Sequence, residues 1–351
     1  MPVRVSFAQL SSTRVPVEGY VLHTYGKDKY LRHAVASLVT LRRHDSERPV
    51  ALYCTESHRT ILRQQNLAHL FSPIALLPEA HQSIVGFKLH LHRFMPFERC
   101  LYVDADIVWC RPLDKLWTQL SVYPFTATGL DRADFYFGGP KSLGIVWEFL
   151  RDRRQRTLDR FGLTSLPRVQ AGMIYASDTF MTREVCEAAA SFLARSGETH
   201  FRTRFHEGRT EESCEWSLAM AMSRLRLPVY PWRLGYDSPQ MDYIKELTSH
   251  TDDFEDVVCK YYCDRFVNDI RGLRSPRLRR LCFHLATMLL RRKDYLLATP
   301  YALHFSWLHE KAPFDRFAEH TWDRLVCEAA TTSNSGSPSA RKTSYVPPSP
   351  G

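Results

Sequence analysis

The sequence lacks several features that mark common classes of protein. None of its apolar runs, within 351 residues, approaches the roughly 20 residues that a membrane-spanning helix requires. The first twenty residues, MPVRVSFAQLSSTRVPVEGY, have no apolar core of the kind found in signal peptides, so we expect a cytoplasmic protein. No Gly-x-Gly-x-x-Gly fingerprint follows the first predicted strand, which argues against a dinucleotide site of the Rossmann type.

The sequence also lacks a disulfide framework. Its nine cysteines are odd in number and scattered, which indicates reduced thiols. Cys259 and Cys263 lie four residues apart, but no second Cys/His pair at metal-binding spacing accompanies them, so packing residues are the simpler interpretation. The net charge of +9 favours an anionic partner, for which a nucleotide diphosphate, a membrane or a nucleic acid would each suffice.

Short apolar runs alternate with helical patterns through the first part of the chain. Tyr20–Leu22, Val50–Cys54 and Ile74–Leu77 are predicted strands, and helices are predicted between them. Alternation of this kind is typical of a mostly parallel sheet flanked by helices. The sequence therefore predicts an α/β protein of Rossmann-like architecture.

The most informative stretch is CLYVDADIVWCRP. Leu101–Val103 is predicted to be a buried strand, and the acids Asp104 and Asp106 follow it at once. The carboxyl ends of parallel strands border the ligand crevice of an open α/β sheet. Two carboxylates there suit a divalent ion whose coordination is completed by substrate phosphates. The simpler alternative is a turn with two solvated acids.

A lysine precedes this strand in GFKLHLHRFMPFERC. Phe87, Leu91 and Phe94 are spaced to share one face of a predicted helix, near the start of which lies Lys88. A cation close to the acidic pair is suited to phosphate oxygens, whereas an ordinary surface lysine is the alternative.

Two segments near the C-terminus differ in character from the rest. Arg271–Lys293 encloses an apolar stretch between basic ends, and it is predicted either to lie on an anionic membrane surface or to pack on the main domain. Residues 331–351 are rich in Ser, Thr and Pro and are predicted to be disordered.

The order of these motifs resembles that of the GT-A glycosyltransferases, most closely the family 8 group that includes glycogenin and galactinol synthases. The residues that carry the resemblance are His23-Thr24-Tyr25, Lys88, Asp104-Ala105-Asp106, Gln170-Ala171-Gly172 and His304-Phe305. It extends over roughly Tyr20 to Pro313 and implies a GT-A type sheet with a helical C-terminal extension. The implied divisions are an N-terminal arm (1–17), a nucleotide-sugar-binding catalytic domain (18–250), a helical, basic part that completes the site (251–330) and the tail (331–351).

The resemblance also implies roles for individual residues. Asp104, Asp106 and His304 would bind Mn²⁺ or Mg²⁺, Lys88 and Lys311 the diphosphate, Thr24 and Tyr25 the base, and Gln170 with Gly172 would line the donor-sugar pocket. Asp104 would also contact the ribose. Gln170 stands where the family has asparagine, and the family's later Asp-Gln pair has two candidate replacements here, Glu212 and Glu215.

The function implied is metal-dependent transfer of a sugar, with retention, from a nucleotide-diphosphate sugar such as a UDP-sugar to a carbohydrate, protein or small-molecule acceptor. A nucleic-acid partner is not expected. In this interpretation the metal and Lys88 stabilise the departing diphosphate. The aromatic candidates for an acceptor cleft are Tyr136, Phe137, Trp232 and Tyr236, although core packing explains each of them as well.

Two other classes of function compete with this one. A phosphatase of the haloacid dehalogenase type would use Asp104 as nucleophile and needs later acids, for which the sequence offers Asp252, Asp253 and Asp256. A non-enzymatic basic adaptor would bind anionic membrane or nucleic acid through Arg271–Lys293.

Overall fold

Seven strands form a central sheet with helices on both faces. The computed structural model describes residues 17–133, 137, 151–201, 212–232, 234–262, 277–278, 281–282, 284–285, 295–306 and 310–335. The strands of this sheet and of two smaller, three-stranded sheets are, in chain order, β1 (Glu18–Thr24), β2 (Val50–Cys54), β3 (Ile74–Leu76), β4 (Arg99–Val103), β5 (Ile107–Trp109), β6 (Phe125–Leu130), β7 (Arg168–Ala176), β8 (Tyr230–Pro231), β9 (Gln240–Asp242), β10 (Thr248–His250), β11 (Val257–Tyr262), β12 (Tyr295–Ala298) and β13 (Ala302–His304). The helices are α1 (Asp28–Arg42), α2 (Glu56–Gln64), α3 (Ile84–Lys88), α4 (Asp114–Leu120), α5 (Arg153–Phe161), α6 (Thr179–Ala194), α7 (Glu215–Arg224) and α8 (Ala312–Ser335).

The central sheet has the strand order β3-β2-β1-β4-β7-β6-β8. β1 to β4 pair in parallel, as does β6 with β8, whereas β7 runs antiparallel to both β4 and β6. The predicted mostly parallel α/β sheet is therefore confirmed. β1 lies inside the sheet and β4 beside it, so the strand that carries the acidic pair is central.

Side chains of β4 alternate between two hydrophobic cores because successive residues of a strand point to opposite faces. Leu101 and Val103 pack with α1, α2 and α4, whereas Cys100 and Tyr102 pack with α3, α6 and α7. Burial on both faces explains why the strand reads as a continuous apolar run and not as an alternating one.

A second, three-stranded sheet joins distant parts of the chain beside this central strand. β13 pairs antiparallel with β5 and parallel with β9, in the order β5-β13-β9. In that register His304 of β13 lies between Ile107 and Asp242. The sheet thereby brings a C-terminal histidine to the residues that follow β4.

The segment ahead of the acidic strand is less helical than its sequence predicts. α3 ends at Lys88, and Leu91 belongs to a separate turn of 3₁₀-helix, so Phe87, Leu91 and Phe94 do not share one helix. All three are nevertheless buried in the same core. Lys88 lies at the end of its helix and not near the start. Its side chain is buried.

The C-terminal part is not helical throughout. Residues 251–330 contribute β11, β12 and β13 as well as most of α8. α8 continues to Ser335, so residues 331–335 are helical where the sequence predicts the start of a disordered tail. The remainder of the tail and the N-terminal arm up to residue 16 lie outside the described residues.

The described residues include most of the cysteines and the long helices. Their eight cysteines are all free, and Cys259 is a buried packing residue; Cys263 lies outside them. Among these same residues, no helix is both long enough and apolar enough to cross a bilayer.

One buried histidine makes the stability of the fold sensitive to acid. His200 Nδ1 lies 2.9 Å from Thr157 Oγ1 of α5, and burial together with Arg154 and Arg153 lowers the pKa of His200 to about 4. The unfolded chain binds a proton at this residue below its ordinary pKa of roughly 6.5, whereas the folded chain does not until about 4. Stability is therefore present above that window and is lost as the pH falls through it.

We expect acidification from pH 7 to pH 5 to cost the wild type about 2 kcal/mol at His200. The variant His200→Gln should lose correspondingly less, because its amide retains a polar partner for Thr157 but does not titrate. Urea denaturation of both proteins at the two pH values measures the difference. An equal loss in the two proteins would contradict the assignment of this acid sensitivity to His200.

Candidate metal centre

The two acids of the Asp-x-Asp motif lie in the short loop between β4 and β5. The backbone N–H of Asp104 donates to Gly172 O of β7 at 2.9 Å, and the carbonyl of Asp106 accepts from Phe305 N at 3.0 Å. The loop is thus fixed on one side by the central sheet and on the other by the end of β13. Both carboxylates are held at the carboxyl end of a central strand, as the sequence predicts.

A histidine completes the group of metal-binding side chains. His304 Nε2 lies 3.4 Å from Asp106 Oδ1 and 3.7 Å from Asp104 Oδ2. One potential ligand atom from each of the three residues lies within 4.8 Å of the others. Two carboxylates and one imidazole form a donor set that fits Mn²⁺, and the carboxylates also suit Mg²⁺.

The imidazole of His304 is oriented by side chains that the sequence analysis did not single out. Asp242 Oδ1 lies 3.3 Å from His304 Nδ1, and Gln240 Nε2 lies 2.9 Å from the same nitrogen. A protonated Nδ1 donates to Asp242, which leaves Nε2 unprotonated and directed at the two acids, whereas an unprotonated Nδ1 accepts from the Gln240 amide. Partners of this kind commonly fix the ring and tautomer of a metal-binding histidine.

Two buried lysines compensate the acids. Lys88 Nζ lies 2.8 Å from Asp104 Oδ1 and donates to the carbonyl of Ala171 at 2.9 Å. Lys311 Nζ, from the turn before α8, lies 2.5 Å from Asp106 Oδ2. Because each carboxylate has its own ammonium partner, the negative charge of the half-buried pair is balanced without an ion.

These contacts shift the pKa values of the whole cluster. Burial alone would lower the pKa of His304, but Asp106 and Asp242 outweigh it and raise that pKa to about 10. Burial likewise opposes ionisation of the acids, yet Lys88 lowers the pKa of Asp104 and Lys311 holds that of Asp106 well below its ordinary value. A metal bound at Nε2 would displace a proton from the ring, so metal binding here is coupled to proton release.

Known proteins resemble this chain in structure and not in sequence. No protein-family model and no curated protein sequence matches it. The galactosyltransferase LgtC, solved with donor and acceptor sugar analogues, is similar over 89% of this chain and 96% of its own, with 11% identity and a TM-score of 0.47. Mouse xyloside xylosyltransferase 1 is similar over 66% and 89%, with 13% identity and a TM-score of 0.42. GlyE of Streptococcus pneumoniae is similar over 91% of this chain but 64% of its own, with 12% identity and a TM-score of 0.44. Likeness at this level says nothing about the residues of the site, which have to be judged on their own geometry.

The residues predicted to hold a base differ in their surroundings. Thr24 is buried, and its hydroxyl lies 3.0 Å from His58 Nδ1. Tyr25 is half-buried, with its ring stacked on His23 at a centroid distance of 5.6 Å. A base contact at Thr24 or Tyr25 stays a prediction.

A chain of contacts missed by the sequence analysis links Tyr25 to the acids. The Tyr102 hydroxyl donates to Asp104 Oδ1 at 2.5 Å and lies 3.1 Å from His23 Nδ1. Burial and the nearby Lys88 lower the pKa of His23 to about 3, so its ring is neutral. Strand periodicity was the available signal, because Tyr102 and Asp104 are two residues apart and share a face.

Gln170 and Gly172 of β7 lie against the histidine. Gln170 Nε2 is 3.4 Å from His304 Nδ1 and 3.4 Å from Asp242 Oδ1. A Cβ atom on Gly172 would stand 2.9 Å from His304 Cε1 and 3.3 Å from Gln240 Nε2. Both residues therefore belong to the wall of the metal centre, and their contact with a donor sugar stays a prediction.

Replacing Gly172 by alanine should weaken Mn²⁺ binding by about 10- to 100-fold, in the range usual for groups that orient a metal ligand. The added methyl group would push against a ring that Asp242 and Gln240 hold in place, and so would move Nε2 away from the acids. Isothermal titration with Mn²⁺ measures the effect. Gly197→Ala is the matched control, since nothing lies within 4 Å of its added Cβ. Equal affinities in the two variants would show that the close approach at Gly172 is unimportant.

The two glutamates left open by the sequence, Glu212 and Glu215, have different surroundings. Glu215, in the first turn of α7, is close enough to Lys88 to help raise the pKa of that lysine, behind Asp104. Glu212 is buried ahead of the helix, where its carboxylate accepts from the backbone N–H of Ser213 at 2.8 Å. Which of the two faces the donor stays a prediction.

Aromatic residues considered for an acceptor cleft have mixed surroundings. Phe137 is buried, edge-on to Phe201, and Trp232 is buried with the Arg168 guanidinium 5.3 Å from its ring centroid. Tyr236 is exposed, and Tyr136 lies outside the described residues. Among the described residues of this aromatic group, Tyr236 is the one whose ring is exposed to solvent.

Proposed function

We propose that this chain is a metal-dependent GT-A glycosyltransferase of the family 8 type, which takes its sugar from a nucleotide-diphosphate donor such as a UDP-sugar. The observation that carries the proposal is the convergence of Asp104, Asp106 and His304, with Lys88 and Lys311 beside them, at the end of a central strand. A buried charge cluster is costly to fold, so its presence favours a role in binding or chemistry.

The three clustered side chains would hold the ion, and Mn²⁺ is the ion that best suits a site with an imidazole ligand. When bound, the ion supplies positive charge that neutralises a departing diphosphate. Asp242 and Gln240 would keep the ring of His304 in the orientation that the site requires.

The two lysines have different roles in this proposal. Lys88 is buried with its ammonium on Asp104 and Ala171, so its first role is to hold that carboxylate. Lys311 contacts Asp106 from the turn before α8, and we expect it to contact the diphosphate. Transfer with retention remains part of the proposal, and no residue is assigned as a general base. The acceptor is a carbohydrate, a protein or a small molecule.

The competing functions fit the site less well. The acids that a phosphatase would need, Asp252, Asp253 and Asp256, lie on the turn between β10 and β11, where Asp252 and Asp256 are exposed, and the described metal-binding cluster does not include them. A purely structural adaptor would have no use for a buried cluster of acids, lysines and histidine. Neither alternative accounts for the orientation of His304.

Thermal unfolding with UDP, in the presence and absence of Mn²⁺, tests the proposal. A ligand at about 100 times its dissociation constant stabilises a protein by about 2.7 kcal/mol, which is readily measured. We expect UDP to stabilise the chain only when Mn²⁺ is present, and a panel of nucleotide sugars to show metal-dependent release of the diphosphate. Stabilisation by Mg²⁺ with phosphate mimics alone would favour the phosphatase. Stabilisation by none of these ligands would favour the adaptor.

A further inference from the structure

A buried histidine of α1 contacts the first turn of α8, the helix that follows Lys311. His33 is buried, and its Nε2 lies 2.8 Å from Asp315 Oδ1. The two residues are 282 positions apart, so the contact fixes the C-terminal helix to the first helix of the chain. Most of the basic segment Arg271–Lys293, whose contact with a membrane stays a prediction, lies outside the described residues, whereas both sides of the α1–α8 contact lie within them.

The protonation of the imidazole sets the direction of this hydrogen bond. Burial and the nearby Lys311 lower the pKa of His33, so the ring is neutral at pH 7 and carries one N–H group. An ionised carboxylate can only accept, so the proton lies on Nε2 and is donated to Asp315. Nδ1 of the same ring is buried and has no hydrogen-bond partner among the described residues. Asp315 is therefore the polar partner that holds this ring.

The same turn of α8 carries Lys311 to the acids. The backbone N–H of Asp315 donates to the carbonyl of Lys311 at 2.9 Å, so the contact with His33 lies one helical turn from that lysine. In this turn Phe314 also packs on the His33 ring, with a centroid distance of 5.0 Å. Lys311 Nζ lies 2.5 Å from Asp106 Oδ2, at the end of a flexible four-carbon stem. Such a stem holds its charge in one place only where the backbone that bears it is fixed.

We propose that His33 is a positioning residue, which holds Asp315 and thereby keeps the ammonium of Lys311 at the metal centre for the diphosphate of the donor. The inference rests on the proposed function for the identity of that ligand, whereas the position of Lys311 can be measured without it. Loss of the His33 contact releases the first turn of α8, so the ammonium leaves Asp106 more often and reaches solvent.

Acetylation of the full chain by a limiting amount of the N-hydroxysuccinimide ester of acetic acid, without metal or nucleotide, tests this placement. Mass spectrometry gives the initial rate at Lys311 relative to that at Lys115, whose side chain is 58% exposed and should react alike in every variant. We expect Lys311 to react at least about tenfold faster in Asp315→Ala, because losing a hydrogen bond to a charged group shifts local opening by about that factor. Asp315→Asn should react at the wild-type rate, since its amide oxygen still accepts from His33.

The second variant is His33→Phe, which keeps an aromatic ring against Phe314 but has no donor, and it should react like Asp315→Ala. The matched control is Arg32→Gln, which removes a half-exposed ion pair with Glu319 between the same two helices and should react like the wild type. A wild-type rate in Asp315→Ala would overturn the proposal. So would a fast rate in Asp315→Asn, which would assign the effect to charge, or equal acceleration in Arg32→Gln, which would assign it to general contact between the helices.

Titration with UDP at saturating Mn²⁺ tests whether the position of Lys311 matters for a diphosphate. The dissociation constant should rise about tenfold in Asp315→Ala, as expected for a lost charge-assisted contact, and should recover in Asp315→Asn. Equal UDP affinities in these variants and the wild type would overturn the role toward the diphosphate. If UDP bound none of these proteins, the proposed function would be contradicted, and the acetylation rates would still decide whether His33 places Lys311.

Discussion

Replacing Asp106 by asparagine should lower the rate of metal-dependent sugar transfer at least about a thousandfold, equivalent to about 4 kcal/mol of lost transition-state stabilisation. The change replaces a charged ligand by a neutral amide of the same shape, in a group whose members lie within 4.8 Å of one another. It also leaves the cations of Lys311 and His304 without the carboxylate that both contact. Diphosphate release from the best donor of a nucleotide-sugar panel, with Mn²⁺ varied, measures the effect.

The fold should survive this substitution, although the protein becomes less stable because Lys311 loses its carboxylate partner. The carbonyl of Asp106 continues to accept from Phe305 N, and the buried residues of β4 and β5 are untouched. Asp323→Asn, on the exposed side of α8, is the matched control and should retain full activity. Full activity of Asp106→Asn at saturating Mn²⁺ would remove this residue from the metal centre, and the proposed function would fall with it.

The acids themselves were predictable from sequence, because the information is local. An apolar run that stops on Asp104 and Asp106 indicates a buried strand and its end, and the alternation of strands and helices before it indicates a parallel sheet. The order of motifs added His304 and Lys311, which a local pattern alone would not connect to the acids. The structure brings all four residues together.

The partners of His304 could not be predicted in this way. Gln240 and Asp242 reach it because β9 and β13 pair side by side, although more than sixty residues separate them in the chain. The sequence of a short strand does not indicate which strand it pairs with in a second sheet, and a one-residue slip of register would turn its side chains to the opposite face. The same limit applies to Thr24, since its contact with His58 depends on how α2 packs against β1.

Replacing Lys88 by methionine should destabilise the protein by about 3 to 5 kcal/mol, the range found when one partner of a buried ion pair is removed. Methionine matches the length of the lysine stem but cannot compensate Asp104, whose carboxylate lies 2.8 Å from the Lys88 ammonium, and it leaves the carbonyl of Ala171 without its donor. Urea denaturation without metal measures the loss. Lys115→Met is the matched control, because Lys115 pairs with Asp237 at a more exposed position and such a pair contributes less than about 1 kcal/mol.

A double-mutant cycle separates this charge effect from lost packing. If the unpaired Asp104 carboxylate is the cause, adding Asp104→Asn to Lys88→Met should recover part of the lost stability, because the second change removes the uncompensated charge. Mn²⁺ should also stabilise Lys88→Met more than it stabilises the wild type, since the ion would supply the missing positive charge next to Asp104 and Asp106. Additive losses in the cycle, with equal stabilisation of both proteins by Mn²⁺, would instead mean that Lys88 acts through packing and does not hold the carboxylate by its charge.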